Sequence, residues 1–232
     1  MIEALDLLRT GEIEISARMP YSSNATFLVE ICTREARRRA IYKPTRGERP
    51  LWDFPAGLGR RETAAFEVSQ ALGWDLVPPT VWRDDGPFQE GSLQLFVDAD
   101  FEQHYFTLRD DAALRPSLKR LCAFDIVTNS TDRKSGHCLV DDDRHLWAID
   151  NGLSFHCEFK VRTVIWDFAE EPLPDDVTDA LGALVARGLP PSLGPLLDDD
   201  ERAAVLGRAG TLLDAGRFPS DPTGRRYPWP LV

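Results

Sequence analysis

Lysine is scarce in this chain. Only Lys43, Lys119, Lys134 and Lys160 occur among 232 residues, and arginine supplies the remaining positive charge. Cysteine is sparse as well: Cys32, Cys122, Cys138 and Cys157 are scattered without Cys-x-x-Cys spacing, so reduced, mostly buried thiols are the default. The pairs His137-Cys138 and His156-Cys157 invite a zinc reading. Neighbours on an extended chain point to opposite sides, however, so each pair offers only one ligand easily. No apolar run is long enough to span a bilayer. Met1-Ile-Glu-Ala-Leu-Asp-Leu-Leu carries acids where a signal peptide carries positive charge, so a cytoplasmic chain with no integral membrane association is expected. Excess positive charge is missing too. A net charge of −11 argues against nucleic acid or an anionic membrane as the main partner. Arg34, Arg37, Arg38 and Arg39 form either a local basic patch or a solvated turn between strands. Repeats and low-complexity tracts are absent.

What is present is an ordered succession of elements, long enough to bury a substantial core as one domain or two packed lobes. Met1 to Thr10 reads as a short amphipathic helix stopped by Gly11, and Glu12 to Ser16 as a strand. A second strand covers Ala25 to Cys32 and a third covers Arg39 to Pro44. Between the first two lies Tyr21-Ser-Ser-Asn24, which is either an ordinary hairpin or a loop whose N–H groups and Ser22 and Ser23 hydroxyls lie over phosphates. In so lysine-poor a chain, Lys43 inside an apolar strand argues for a compact ammonium aimed at a phosphate. Arg61 to Leu72 reads as a helix closed by Gly73. Two glutamates on it are candidates for holding the lysine. Glu62 shares a stripe with Ala65, Phe66, Ser69 and Leu72, whereas Glu67 lies on a more polar side, so Glu62 is the choice.

Leu76 to Trp82 and Gly91 to Val97 read as two further strands around the turn Asp84 to Pro87. From Arg115 the character becomes helical, with Leu118, Leu121, Cys122, Asp125 and Ile126 on one face, and Asp125 is odd for a core. This helix ends near Asn129. Cys138 to Val140 and Leu146 to Ile149 then form a hairpin turned by Asp141 to Asp143. Asp132 falls on the loop entering that hairpin and Asp150 on its exit, so both carboxylates can face one cavity. Val161 to Phe168 either starts a helix or fills the core, Asp175 to Arg187 and Asp199 to Asp214 are helices, and Arg217 to Val232 is a loose tail or a strap.

Two segments carry a resemblance. Phe124-Asp-Ile-Val-Thr-Asn-Ser-Thr-Asp-Arg133 and Ile149-Asp-Asn-Gly-Leu-Ser-Phe155 resemble the catalytic and metal-binding segments of the phosphatidylinositol 3-/4-kinase-like family. The likeness is strongest to its type II 4-kinase branch and to small bacterial, HipA-like relatives. Tyr-Lys-Pro44 resembles that family's Lys-Pro segment, and the Ser22-Ser23 loop its Ser-rich nucleotide loop. The resemblance implies an α+β, two-lobed, protein-kinase-like fold, with residues 1–97 as a strand-rich lobe and 98–232 as a helix-rich one. It implies ATP and magnesium at the lobe interface, with Asp132 as catalytic Asp, Asp150 as metal ligand, Lys43 on the phosphates and Glu62 on Lys43. Backbone groups of Phe96, Val97 and Asp98 would meet the adenine. His137 stands where the family has a metal-binding Asn, a departure that points to one metal, to manganese, or to lost turnover. The expected activity is transfer of the γ-phosphoryl group to a hydroxyl acceptor, protein or small molecule before lipid. Nucleotidyl transfer and a nucleotide-binding pseudokinase are the alternatives.

Overall fold

Residues alternating between two faces build the first half of the molecule. A computed structural model describes residues 2–20, 22 and 24–232. Helix α1 (Ile2–Thr10) leads into β1 (Glu12–Arg18), β2 (Phe27–Cys32) and β3 (Arg37–Pro44). After helix α2 (Leu58–Ala71) come β4 (Thr80–Gly86) and β5 (Gln89–Leu95). The five strands form one antiparallel sheet in the order β1-β2-β3-β5-β4. Val29, Ile31, Ala40, Tyr42, Val81 and Leu93 are buried together with Leu7 and Leu8 of α1. The period of two then leaves the opposite face to Leu28, Ile41 and Gln94, which pair in that order across β2, β3 and β5, and to Lys43 opposite Ser92.

Most strand boundaries shift by a few residues from the expectation, with β5 ending at Leu95 rather than Val97, and the largest shift has its cause in backbone donors. β4 begins at Thr80 rather than Leu76, because Pro78 and Pro79 have no N–H to give a ladder. The N–H groups of Leu76 and Val77 instead donate to Ser69 Oγ on α2, at 2.8 and 3.3 Å. β4 then runs on through Gly86 and β5 starts at Gln89, so the turn is shorter and later than Asp84 to Pro87.

Helix α2 starts at Leu58, before the expected Arg61. Gly57 at its N-cap adopts φ +92°, and the Glu48 carboxylate accepts from the N–H groups of Gly57 and Gly59 at 3.0 and 2.9 Å. Gly59 also permits close approach to the sheet: a Cβ there would lie 3.2 Å from the Trp82 ring and 3.4 Å from Ser92 N. That approach sets the next turn of α2 beside Lys43. The helix is enclosed on both sides, not on one stripe. Thr63, Ala64 and Val68 are as buried as Ala65, Phe66 and Ser69, and Arg61 forms a buried ion pair with Glu201.

The second half is helical. The short α3 (Tyr105–Leu108) is a single turn, too short to show a helical period in the sequence. α4 (Arg115–Thr128) ends on Asn129 at φ +57°, and the hairpin follows as β6 (Cys138–Val140) and β7 (Leu146–Ala148). α5 (Asp175–Arg187) and α6 (Asp199–Ala215) close the core, α6 with an Asp198–Glu201 capping box. Val161, Val164, Ile165 and Phe168 fill that core without forming a helix. Arg217 to Val232 is packed along the helical half. Phe218 is fully buried, Arg226 O accepts from Thr163 N and Trp166 Nε1, and Leu231 O accepts from Ser135 N at 2.8 Å. Of the arginine run only Arg34 lies in the connection between strands; Arg37, Arg38 and Arg39 belong to β3, where the Arg37 and Arg39 side chains pair with Glu30 and Asp98. Among the described residues no helix is long and apolar enough to cross a membrane.

Candidate active site

Lys43 is the centre of the site. Its Nζ reaches Glu62 of α2 on one side and Asp150 Oδ1, 2.7 Å away, on the other. Glu62 is 3% exposed, and its second oxygen accepts from the Asn151 N–H at 2.9 Å. Burial works against the Lys43 ammonium, but Asp150 and Glu62 together hold its pKa above the ordinary lysine value. In return the Lys43 charge holds the Asp150 carboxyl well below the usual carboxylate range. Glu67 is elsewhere, accepting from Ser192 Oγ at 2.6 Å.

Asp132 lies on the neighbouring loop with Lys134 Nζ 3.1 Å from its carboxylate. Burial raises the Asp132 pKa, Asp150 adds to the rise, and Lys134 and Arg133 oppose it. His137 connects the two acids, though not through the Asp132 carboxylate. Its Nδ1 is 2.9 Å from the Asp132 carbonyl oxygen and its Nε2 is 3.4 Å from Asp150 Oδ2. Only a ring N–H can bond a carbonyl, so Nδ1 carries the proton. Burial lowers the His137 pKa to about 4 against the pull of Asp150, so the ring is neutral at pH 7. Nε2 and Oδ2 are therefore two lone-pair groups facing each other with no proton between them. Such a pair is suited to sharing a cation. Nitrogen beside oxygen suits manganese better than magnesium, whose preference is for oxygen alone.

A cleft of about 490 Å³ opens from this centre beneath the sheet. Leu28, Ile41, Leu95, Leu139 and Ile149 make it apolar, and Phe96 and Val97 lie at its edge. The Phe96 N–H already donates to Arg39 O at 3.0 Å, so Phe96 can offer a ligand its carbonyl but not this donor. The Asp98 side chain turns away to Arg39. Ser22 lines the same cleft and its hydroxyl is 2.8 Å from Thr26 Oγ1, while Ser23 lies outside the described residues. A second, more polar compartment of about 450 Å³ shares Lys43, His137 and Asp150 and extends to Asp132 and Lys134.

The residue that sequence reasoning missed is Arg133. It is wholly buried, pairs with Asp125 at 3.0 Å, and donates to Ile149 O at 2.7 Å and Asn151 Oδ1 at 2.5 Å. It follows Asp132 in the chain and grips the residues on either side of Asp150. One guanidinium thus fixes both acidic loops. The oddity of Asp125 on an apolar face was the available signal, because a buried carboxylate calls for a buried cation.

An antiparallel sheet bearing a lysine-carrying strand, a helix glutamate against it, and two acidic loops from a helical half make a kinase-like fold. The structure of hydra Fam20 with sugar superimposes with a TM-score of 0.56, covering 92% of this chain and 87% of that one at 12% identity. The Helicobacter pylori proinflammatory kinase CtkA gives a TM-score of 0.49 over 91% of this chain and 94% of that one, at 11% identity. No protein-family model matches the chain. By sequence it is 37% identical over 262 residues to Protein Rv2133c of Mycobacterium tuberculosis (strain ATCC 25618 / H37Rv), across 97% of this chain and 94% of the relative. The chain belongs to the family of that mycobacterial protein.

Proposed function

We propose that this protein is an ATP-dependent phosphotransferase that moves the γ-phosphoryl group to the hydroxyl of a protein or small molecule. The observation that carries the reading is the ion bridge Glu62–Lys43–Asp150, which joins sheet, helix and hairpin exit at the mouth of an apolar cleft, with Asp132 in the next compartment. Residues 1–232 act as one kinase-like unit in this reading, with 1–97 supplying the sheet and Lys43 and 98–232 supplying both acids. The resemblance of the two acidic segments to the phosphatidylinositol 3-/4-kinase-like family supports the same roles.

The adenine occupies the apolar cleft against Leu28 and Ile41, with the Phe96–Asp98 backbone at its edge and Ser22 near the phosphates. Lys43 leaves Asp150 and takes phosphate oxygens, held in place by Glu62. Asp150 and His137 would hold a divalent metal, manganese or magnesium, whose charge would offset that of the phosphates. The acceptor oxygen attacks the γ-phosphorus, the bond to the bridging oxygen breaks, and ADP leaves. Asp132 takes the hydroxyl proton, and its raised pKa makes it a better base for that task.

The test is intact-mass analysis after incubation with ATP and magnesium or manganese, alone and with fractions of cell extract. A gain of phosphate that disappears in Asp132→Asn, with nucleotide binding retained, supports the proposal. A gain of nucleotide mass would make the protein a nucleotidyl transferase, and ATP binding with no transfer would make it a regulatory module.

A further inference from the structure

Beyond Asp132 the trough continues into a third compartment of about 440 Å³, roofed by the C-terminal strap. The proposed active site makes no use of it. Asp132 and Lys134 form its inner wall, Lys160 and Arg162 its side, and Tyr227 and Trp229 its outer lip. Three properties of these residues point the same way.

The first is charge. The chain carries net −11, yet three of its four lysines line the continuous trough: Lys43 and Lys134 in the middle, Lys134 and Lys160 at this end. Lys134 is engaged by Asp132, and Lys160 by the Asp53 carbonyl at 2.7 Å and, at 3.9 Å, by the exposed Glu158 carboxylate. Arg162 is exposed and has no ion pair or side-chain hydrogen bond among the described residues, in a protein with acids to spare. A guanidinium left free beside two ammonium groups in a concave site is suited to a bidentate anion.

The second is the lip. Trp229 is 87% exposed and Tyr227 42%, side by side on a strap that is otherwise packed down. Exposed aromatic rings over a polar pocket offer a flat apolar face to a ring that is itself amphipathic. The third is position. The pocket shares Asp132, the proposed base, so a hydroxyl lying there is within reach of it.

Resting on the phosphotransferase reading, we infer that this compartment holds the acceptor, and that the acceptor is a small, soluble, ring-shaped hydroxyl compound carrying a phosphate or carboxylate. Its anionic group lies on Arg162 and Lys160, its ring face on Trp229, and its free hydroxyl at Asp132. The compartment's size favours a single ring over an extended peptide, which would need a groove running past the strap.

Glucose 6-phosphate and ribose 5-phosphate serve as probes, with glucose, inorganic phosphate and an acidic serine peptide as comparators. Binding is read by calorimetry and by tryptophan fluorescence in a Trp52→Phe background, since Trp52 is exposed as well, and not by turnover. At least one sugar phosphate is expected to bind about tenfold or more tightly than glucose. Arg162→Ala should remove that preference, and Trp229→Ala should weaken binding and silence the fluorescence change. Both side chains are exposed, so neither variant threatens the fold. ATP is titrated separately. ATP binding without sugar-phosphate binding overturns the acceptor assignment alone. Sugar-phosphate binding without ATP binding leaves the pocket standing and sinks the phosphotransferase reading. Affinity that is indifferent to both substitutions, or a preference for the peptide, also overturns the assignment.

Discussion

Replacing Arg133 by methionine should be the most damaging single change at the site, although Arg133 itself is out of reach of any ligand. The guanidinium and the Asp125 carboxylate are both 0% exposed, and the Asp125 charge has only Arg133 and the Thr163 hydroxyl, 3.0 Å away, to offset its burial. Removing one partner of a buried pair costs about 3–5 kcal/mol, because the other charge remains in place uncompensated. The carbonyl of Ile149 and the Asn151 amide oxygen lose their donors in the same step. In a chain of this size each kcal/mol lowers Tm by about 2–4 °C, so Arg133→Met should melt about 6–20 °C earlier. Calorimetry and urea unfolding measure the loss directly. The double variant Arg133→Met/Asp125→Leu removes both charges and should recover a good part of it. Turnover should not recover with it, since the donors that hold Ile149 O and Asn151 Oδ1, on either side of Asp150, are lost in both variants. A single variant that loses less than about 1 kcal/mol, the size of an ordinary surface pair, would refute the reasoning. So would a double variant that is no better than the single.

Lys43→Ala should weaken ATP binding by about 10- to 150-fold, the worth of one charge-assisted contact of about 1.5–3 kcal/mol, as read by calorimetry. Glu62→Gln should do the same more mildly and Glu67→Gln should not, and the reverse ranking would mean that the Lys43–Glu62 pair has no part in nucleotide binding. His137→Asn should shift the metal preference from manganese toward magnesium, and unchanged rates in both metals would place His137 outside the metal site. A thiol reagent should label exposed Cys157 in the native protein but leave Cys122 and Cys138 until unfolding, since both are buried and burial pushes Cys138 up to about 12. Vesicles rich in anionic lipid should not retain a chain of net charge −11 at physiological salt, and saturable co-sedimentation would return lipid to the list of acceptors.

Local signals carried much of this structure. The alternation in β2 and β3, the Asn129 and Gly73 helix ends and the Asp141 to Asp143 turn are written within a few residues of where they act, because φ/ψ preference and side-chain period are short-range properties. The scarcity of lysine singles out Lys43, and it applies equally to Lys134 and Lys160, which line the outer compartment. Order along the chain placed Asp132 and Asp150 at the two ends of one hairpin.

Tertiary packing decided the rest. Lys43 meets a carboxylate 107 positions away, and no local pattern encodes which of many acids will close such a loop. Helix α2 reads as half polar, yet it is enclosed on both sides, because Arg61 is neutralised by Glu201 and Glu62 by Lys43. Which His137 nitrogen holds the proton followed only from finding the Asp132 carbonyl 2.9 Å from Nδ1. The last sixteen residues, proline-rich and open to either reading, became a strap because Phe218 is buried and Leu231 O is bonded to Ser135. Sequence by itself determined which groups bear the chemistry, since residue type sets charge and basicity. Only the fold decided which of them share one cleft, since burial and the nearness of opposite charge are properties of the packed chain.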